Sequence, residues 1–181
     1  MNEFNPSLLL SMPQMQDPNF ARTVVLLCDF RPEGAFGLVI NRPTEMAATE
    51  MVRLEPPVTR GNGLRLFLGG PVQPERGWIL LPEPPEDADH RVIQPGLYLS
   101  SSPEVLRRVL EKTPAPRARI VAGYAGWAPG QLDGELAQSA WLIGDVQLDL
   151  IFDIDPGVMW ETAIRRLGAD PSALTTSHGV H

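Results

Sequence analysis

The sequence predicts an α+β fold built on a mixed, mostly antiparallel sheet, and three observations carry that prediction. Strand-like runs come in clusters instead of alternating strictly with helices, which argues against a doubly wound parallel layout. Proline and glycine, 19 and 16 of 181 residues, break the chain into short apolar runs. Three segments carry the spacing and capping signals of helices.

The run Thr23 to Cys28 is β-branched and apolar and reads as a buried strand. A turn at Arg31-Pro32-Glu33-Gly34-Ala35 and a second run, Phe36 to Ile40, complete an antiparallel hairpin over residues 22–41. Asn41-Arg42-Pro43 ends it, because proline cannot donate to a ladder. Residues 46–54 are read as a short helix. Leu64 to Leu68 alternates and predicts a half-buried strand, broken at Gly69-Gly70-Pro71. Gly77 to Leu81 and Leu97 to Ser100 are further strands, separated by an exposed loop at 82–91 rich in Pro, Glu and Asp. Ser102 is placed to cap a helix with Pro103 in its first turn, and Val105, Leu106, Val109 and Leu110 form its apolar face. Ala118 to Tyr124 reads as a strand and Pro129 to Ser139 as a helix. Trp141 to Ile143 and Leu148 to Phe152 read as strands. Asp155 and Pro156 open a last helix with Trp160, Ile164 and Leu167 facing inward, stopped by Gly168. The whole chain, 1–181, is expected to be one domain, with residues 169–181 a loosely held tail.

A chain of this length buries roughly 70% of its unfolded surface, enough for a core without metal or disulfide. The single cysteine, Cys28, excludes an intramolecular disulfide and fits a reducing compartment. No basic n-region precedes Leu8-Leu9-Leu10, and no apolar stretch approaches the roughly 18 residues needed to span a bilayer. A cytoplasmic protein without a membrane partner is therefore expected. The formal charge of −7 and a pI near 4.9 make nucleic acid a poor partner at long range.

Candidate functional residues cluster at corners. Cys28 ends an apolar strand beside Asp29, which favours an inert thiol over a nucleophile. His178 and His181 flank Gly179 with no carboxylate cluster, so no metal site and no cofactor are predicted. Gly69 and Gly70 present backbone amides either to an anion or to nothing beyond a strand-ending turn. Asp17 and Asn19, in Gln16-Asp17-Pro18-Asn19-Phe20, form either a binding loop or a rigid corner feeding the first long strand. Tyr124 and Trp127, with Gln131 and Glu135, lie at a second glycine-rich corner. With Asn41 and Arg42 alongside, that corner would form a pocket rim.

Taken together, several ordered blocks resemble the YqgE/AlgH family over roughly residues 7–170. They are Met12-Pro13, Gln16 to Phe20, Val24 to Cys28, Gly34 to Pro43, Leu68 to Val72, Gly77, Ser101 to Leu106, Gly123 to Trp127 with Gly130-Gln131-Leu132 and Glu135, Trp141, and Trp160 with Leu167-Gly168. The resemblance implies a bifurcated, strongly bent sheet folded into a pseudo-barrel with helices packed outside. It also carries the family's usual label, transcriptional regulator, attached through a link to alginate control. Asp29-Phe30 stands where the family commonly has Glu-His.

Three functions follow as expectations. The first is a non-catalytic binding or regulatory module acting through a protein or a small anionic ligand. The second is a hydrolase-like enzyme using carboxylates such as Asp17 or Glu135. The third is direct DNA binding, which the net charge and the absence of a helix-turn-helix pattern disfavour.

Overall fold

The computed structural model describes residues 5–13, 21–86 and 89–176. Ten strands form one sheet: β1 (Ser7–Ser11), β2 (Val24–Arg31), β3 (Gly34–Val39), β4 (Pro43–Ala47), β5 (Arg65–Leu68), β6 (Val72–Leu81), β7 (Arg91–Gln94), β8 (Leu97–Ser100), β9 (Arg119–Trp127) and β10 (Trp141–Asp145). The helices are α1 (Ala48–Met51), α2 (Pro103–Glu111), α3 (Gln131–Ala137), α4 (Leu148–Phe152), α5 (Pro156–Arg166) and α6 (Pro171–Thr176). No helix among the described residues is long and apolar enough to cross a membrane.

The strand order is β10-β1-β2-β3-β9-β6-β8-β7, with β4 paired to β5 and β5 to β9. Every pairing is antiparallel except β5 with β9. The fold is thus α+β, with a strongly curled, mostly antiparallel sheet forming a half-barrel. The bifurcation lies on β9. Its residues 120–122 pair with β5, whereas 125–127 pair with β3.

Side chains alternate between the two faces of the sheet, and both faces are covered. Leu8, Leu10, Val24, Leu26, Leu38 and Ile40 join the main core with α4 and α5. Leu9, Val25, Leu27 and Val39 point the other way, against Trp127, Leu132 and Trp141. A third cluster packs Leu66, Ile79 and Ile120 against Val105, Val109 and Leu110 of α2. Two-sided burial is why these strands read as continuous apolar runs.

Helix caps follow the sequence signals. The Ser102 hydroxyl accepts from the Val105 N–H, and Asp155 accepts from the Gly157 N–H. Pro95-Gly96 makes the tight turn between β7 and β8, with Gly96 at φ 87°.

Several expectations change. Leu148 to Phe152 is α4, not a strand. A five-residue apolar run does not distinguish the two by periodicity. Here helical spacing buries Leu150, Ile151 and Phe152 while leaving Asp149 to meet Arg166 of α5, at 2.7 Å. The segment 46–54 is the end of β4 followed by a helix of only 48–51. Leu8-Leu9-Leu10 forms a central strand, and β7 lies at the edge of the 82–91 loop. Leu167 is 42% exposed, not inward. Beyond Gly168, α6 sets Leu174 against the main core, and residues 177–181 lie outside the described residues.

The bifurcation depends on backbone contacts. A Cβ on Gly70, whose φ is 151°, would sit 2.2 Å from the Tyr124 carbonyl, whereas one on Gly77 would meet nothing within 4 Å. We therefore expect Gly70→Ala to destabilise the fold by about 3 kcal/mol, from overpacking together with backbone strain. Gly77→Ala should stay within about 0.5 kcal/mol of the parent. Denaturant unfolding midpoints check this, and equal midpoints for the two variants would count against it.

Candidate functional site

The ladder between β6 and β9 is irregular. Val72 pairs with Tyr124 and Gly77 with Ala122, so four residues of β6 stand opposite Gly123 alone. Gln73 sits at φ 44° and Gly123 at φ 78° to accommodate this excursion. Irregularities of this kind re-aim side chains beside sites. Here the excursion carries Arg76 back over the indole of Trp78, with its guanidinium carbon 4.4 Å from the ring centroid.

Trp78 belongs to a ring cluster. Its centroid lies 5.1 Å from Phe36 and 6.3 Å from Tyr124, and Phe36 and Tyr124 are 5.0 Å apart. These rings, with Arg76, Arg91, Asp29, Asp89 and His90, line a concavity of about 570 Å³. Arg91 is engaged: it donates to the Cys28 carbonyl at 3.0 Å and lies 3.7 Å from Asp29. Arg76 has no carboxylate within ion-pair distance among the described residues. The Trp78 indole N–H is shielded from solvent and donates to nothing among them. The Tyr124 ring lines the concavity beside Trp78 and Phe36. Among the described residues the concavity therefore has one buried donor without an acceptor, the Trp78 indole N–H, beside the exposed Arg76 guanidinium. An unmet buried donor costs about 1–3 kcal/mol.

Of the residues singled out in the sequence, Tyr124 alone lines this concavity. Asp17 and Asn19 lie outside the described residues. Asn41 bridges a corner, its Oδ1 accepting from the Val24 N–H at 3.0 Å and its Nδ2 donating to the Arg22 carbonyl at 3.1 Å. Arg42 donates to the Ala21 carbonyl at 3.1 Å. Gly69 and Gly70 press against the backbone of Gly123 and Tyr124. The Val39 N–H donates to the Gly69 carbonyl, the Leu68 N–H to Arg42 and the Gly69 N–H to Ala122, so these corners meet as main chain.

Trp127, Gln131 and Glu135 come together elsewhere. Glu135 Oε1 accepts from the indole N–H groups of Trp127, at 3.1 Å, and Trp141, at 2.8 Å. Its Oε2 accepts from the Gln131 amide at 3.2 Å, whose own oxygen accepts from the Ala128 N–H at 3.0 Å. Both carboxylate oxygens are thus taken up in fastening α3 over two buried indoles. Sequence reading missed Phe36, Arg76, Trp78 and His90 as site residues. The surviving signal was Pro74 and Gly77 bracketing Arg76 ahead of a Trp, a strand interrupted where a strand was expected.

Cys28 is inert in this arrangement. It is 2% exposed and its thiol donates to the Leu26 carbonyl at 3.5 Å. Burial above all pushes its pKa up to about 12; Arg91 opposes the rise and Asp29 adds to it. No group of three or more His, Cys, Asp or Glu among the described residues is placed to hold a metal.

The Glu135 clip and the buried thiol can each be checked. Glu135→Ala leaves two buried indole N–H groups unmet and should cost about 2–4 kcal/mol, while Glu135→Gln, which keeps an acceptor, should cost less than half of that. Equal losses in chemical denaturation would contradict the clip. Native Cys28 should react slowly with a thiol reagent at pH 8 and rapidly once unfolded. Its folded pKa is raised, so its contribution to stability is whole below the unfolded value of about 8.5 and is lost as pH climbs toward 12. Cys28→Ala should therefore lose less stability than the parent between about pH 9 and pH 12. Parallel alkaline losses would refute this.

A family model described as AlgH-like matches residues 8–172. A UPF0301 protein of Myxococcus xanthus is 38% identical over 190 residues, covering 100% of both chains. The UPF0301 relative in Magnetococcus marinus is 37% identical over 173 residues, covering 94% of this chain and 93% of its own. The solution structure of the AlgH protein from Pseudomonas aeruginosa aligns with a TM-score of 0.78 at 36% identity, covering 97% of each chain. A crystal structure of a Corynebacterium diphtheriae protein, 22% identical, shares the fold at a TM-score of 0.66 over 91% of this chain and 88% of that one. The names of these relatives state no reaction. On the family match and these identities, the chain belongs to the AlgH-like family.

Proposed function

We propose that the protein is a non-catalytic binding module that takes a small anionic ligand with a planar portion in the Trp78 concavity, and that it regulates through that ligand. The carrying observation is the Trp78 indole N–H, which is shielded from solvent and donates to nothing among the described residues; its ring lines the concavity under the exposed Arg76, which has no carboxylate within ion-pair distance among them. Aromatic surfaces beside this pair suit a flat group. A volume of about 570 Å³ is in the range of small-molecule sites. Direct duplex DNA binding is not part of this reading. Arg107, Arg117 and Arg166 each pair with a carboxylate of the chain, and the net charge is −7. We place the protein in the cytoplasm, in keeping with its lone, buried thiol.

Calorimetric titration with benzoate, nicotinate and adenosine 5′-monophosphate tests the reading, with benzamide, nicotinamide and adenosine as uncharged counterparts. At least one anion should saturate the protein with a Kd below about 1 mM, and its uncharged counterpart should bind more weakly. Arg76→Ala should weaken the anion roughly 10- to 100-fold, the worth of a charge-assisted hydrogen bond, with the melting temperature lowered by no more than about 2–4 °C, because Arg76 is exposed and loses only its stacking on Trp78. No saturable binding across the panel, or equal binding to Arg76→Ala, would overturn the proposal.

A further inference from the structure

A second recess, of about 630 Å³, lies between α2, the proline-bearing segment that follows β6, and α4. It shares no lining residue with the Trp78 concavity. Its floor is aliphatic: Leu81, Val105 and Val109 are buried, and Leu148 is partly so. No aromatic ring stands among its described lining residues. At its mouth stand Arg108 and Lys112, both exposed and four residues apart at the end of α2.

We propose that this recess binds a single-chain aliphatic anion, a fatty carboxylate, with the chain on the Leu81–Val105–Val109 floor and the carboxylate between Arg108 and Lys112. Charge complementarity selects the headgroup. Like charges four residues apart on a helix repel each other, and neither Arg108 nor Lys112 has a carboxylate within ion-pair distance among the described residues. Arg108 donates only to the Glu86 carbonyl, at 3.2 Å, among the described residues. Arg117, also at the recess, is already engaged by Asp153 at 2.7 Å and is not needed. Glu83 is the one acid among the described lining residues, and it forms no ion pair with either cation. On a chain of net charge −7, an unneutralised pair of cations over an aliphatic floor is a local reversal of sign.

The absence of rings favours a saturated chain over a planar ligand. The exposed large hydrophobics among the described residues are Met46, Met51, Leu68, Val92, Ile143, Val158 and Leu167, and none lines the recess. The rim thus offers nothing to insert into a bilayer, and the occupant is a monomeric amphiphile, not a membrane surface.

The test is calorimetric titration of the full chain with sodium laurate and sodium decanoate below their micellar concentrations. Dodecyltrimethylammonium and dodecyl maltoside serve as tail-matched controls, and phosphatidylglycerol vesicles test a membrane source. Laurate should saturate, with decanoate roughly 10-fold weaker for the loss of two methylenes. The cationic and neutral controls should bind more weakly still. Arg108→Gln and Lys112→Gln should each weaken laurate several-fold with the melting temperature unchanged, and Arg76→Ala should leave laurate binding untouched. Failure of laurate to saturate, equal binding of the cationic control, insensitivity to both glutamine variants, or association with vesicles alone would each overturn the proposal. Because Arg76 reports only on the Trp78 concavity, failure of either site is distinguishable from failure of the other.

Discussion

Strand β9 must serve three partners, and that requirement organises the rest of the molecule. Along one edge it pairs first with β5 and then with β3, while β6 holds the other edge. Two strands can share an edge in succession only if the backbone turns sharply between them. It does so at Gly123, whose φ of 78° is open to glycine at little cost. A Cβ there would lie 2.5 Å from the Gly70 carbonyl oxygen, and one on Gly69 would lie 2.4 Å from the Gly123 carbonyl oxygen. Main chain meets main chain, and side chains are excluded from the junction. The three core clusters are arranged around this point, because each half of the forked sheet needs its own helical cover.

The junction also generates the candidate site. With β9 kinked at Gly123, β6 cannot remain in register, and it leaves the ladder between Val72 and Gly77. The four-residue excursion rejoins in time to place Trp78 beside Phe36 and Tyr124 and to fold Arg76 over its indole. The concavity is therefore a consequence of strand pairing as much as of side-chain choice. An Arg exposed to solvent and stacked on a ring holds its position through a cation–π contact of about 0.5–1 kcal/mol, weak enough to yield to an incoming anion.

Much of the fold was legible because its signals are local. The β2–β3 hairpin, the caps at Ser102 and Asp155, and the break after Leu68 each depend on a few neighbouring residues. The α4 segment was not legible, because Leu148 to Phe152 is apolar in either conformation, and what favours the helix is tertiary: burial of Leu150, Ile151 and Phe152 in the main core, with Asp149 meeting Arg166, 17 residues away. The site was legible only at Tyr124. Glycine and polar corners attract attention in a sequence, yet Asn41, Gly69, Gly70 and Glu135 are engaged with backbone and indoles of the same chain. The concavity draws instead on residues from β2, β3, β6, β7, β8, β9 and the segment before β7, which no spacing rule unites.

The four tryptophans make the last distinction. Trp127 and Trp141 share Glu135, and Trp160 donates to the Ser11 carbonyl at 2.9 Å. These acceptors come from other elements of the chain, from 149 residues away for Trp160. A fold that provides acceptors to three indoles has the means to provide a fourth. Among the described residues Trp78 has none, and against that same ring stands a guanidinium that has no carboxylate within ion-pair distance among them. Had the indole been there for packing alone, a phenylalanine would have filled the space with no donor to satisfy. The unmet N–H is thus the observation on which the proposed ligand rests, and the stacked Arg76 is the reason that ligand is proposed to be an anion.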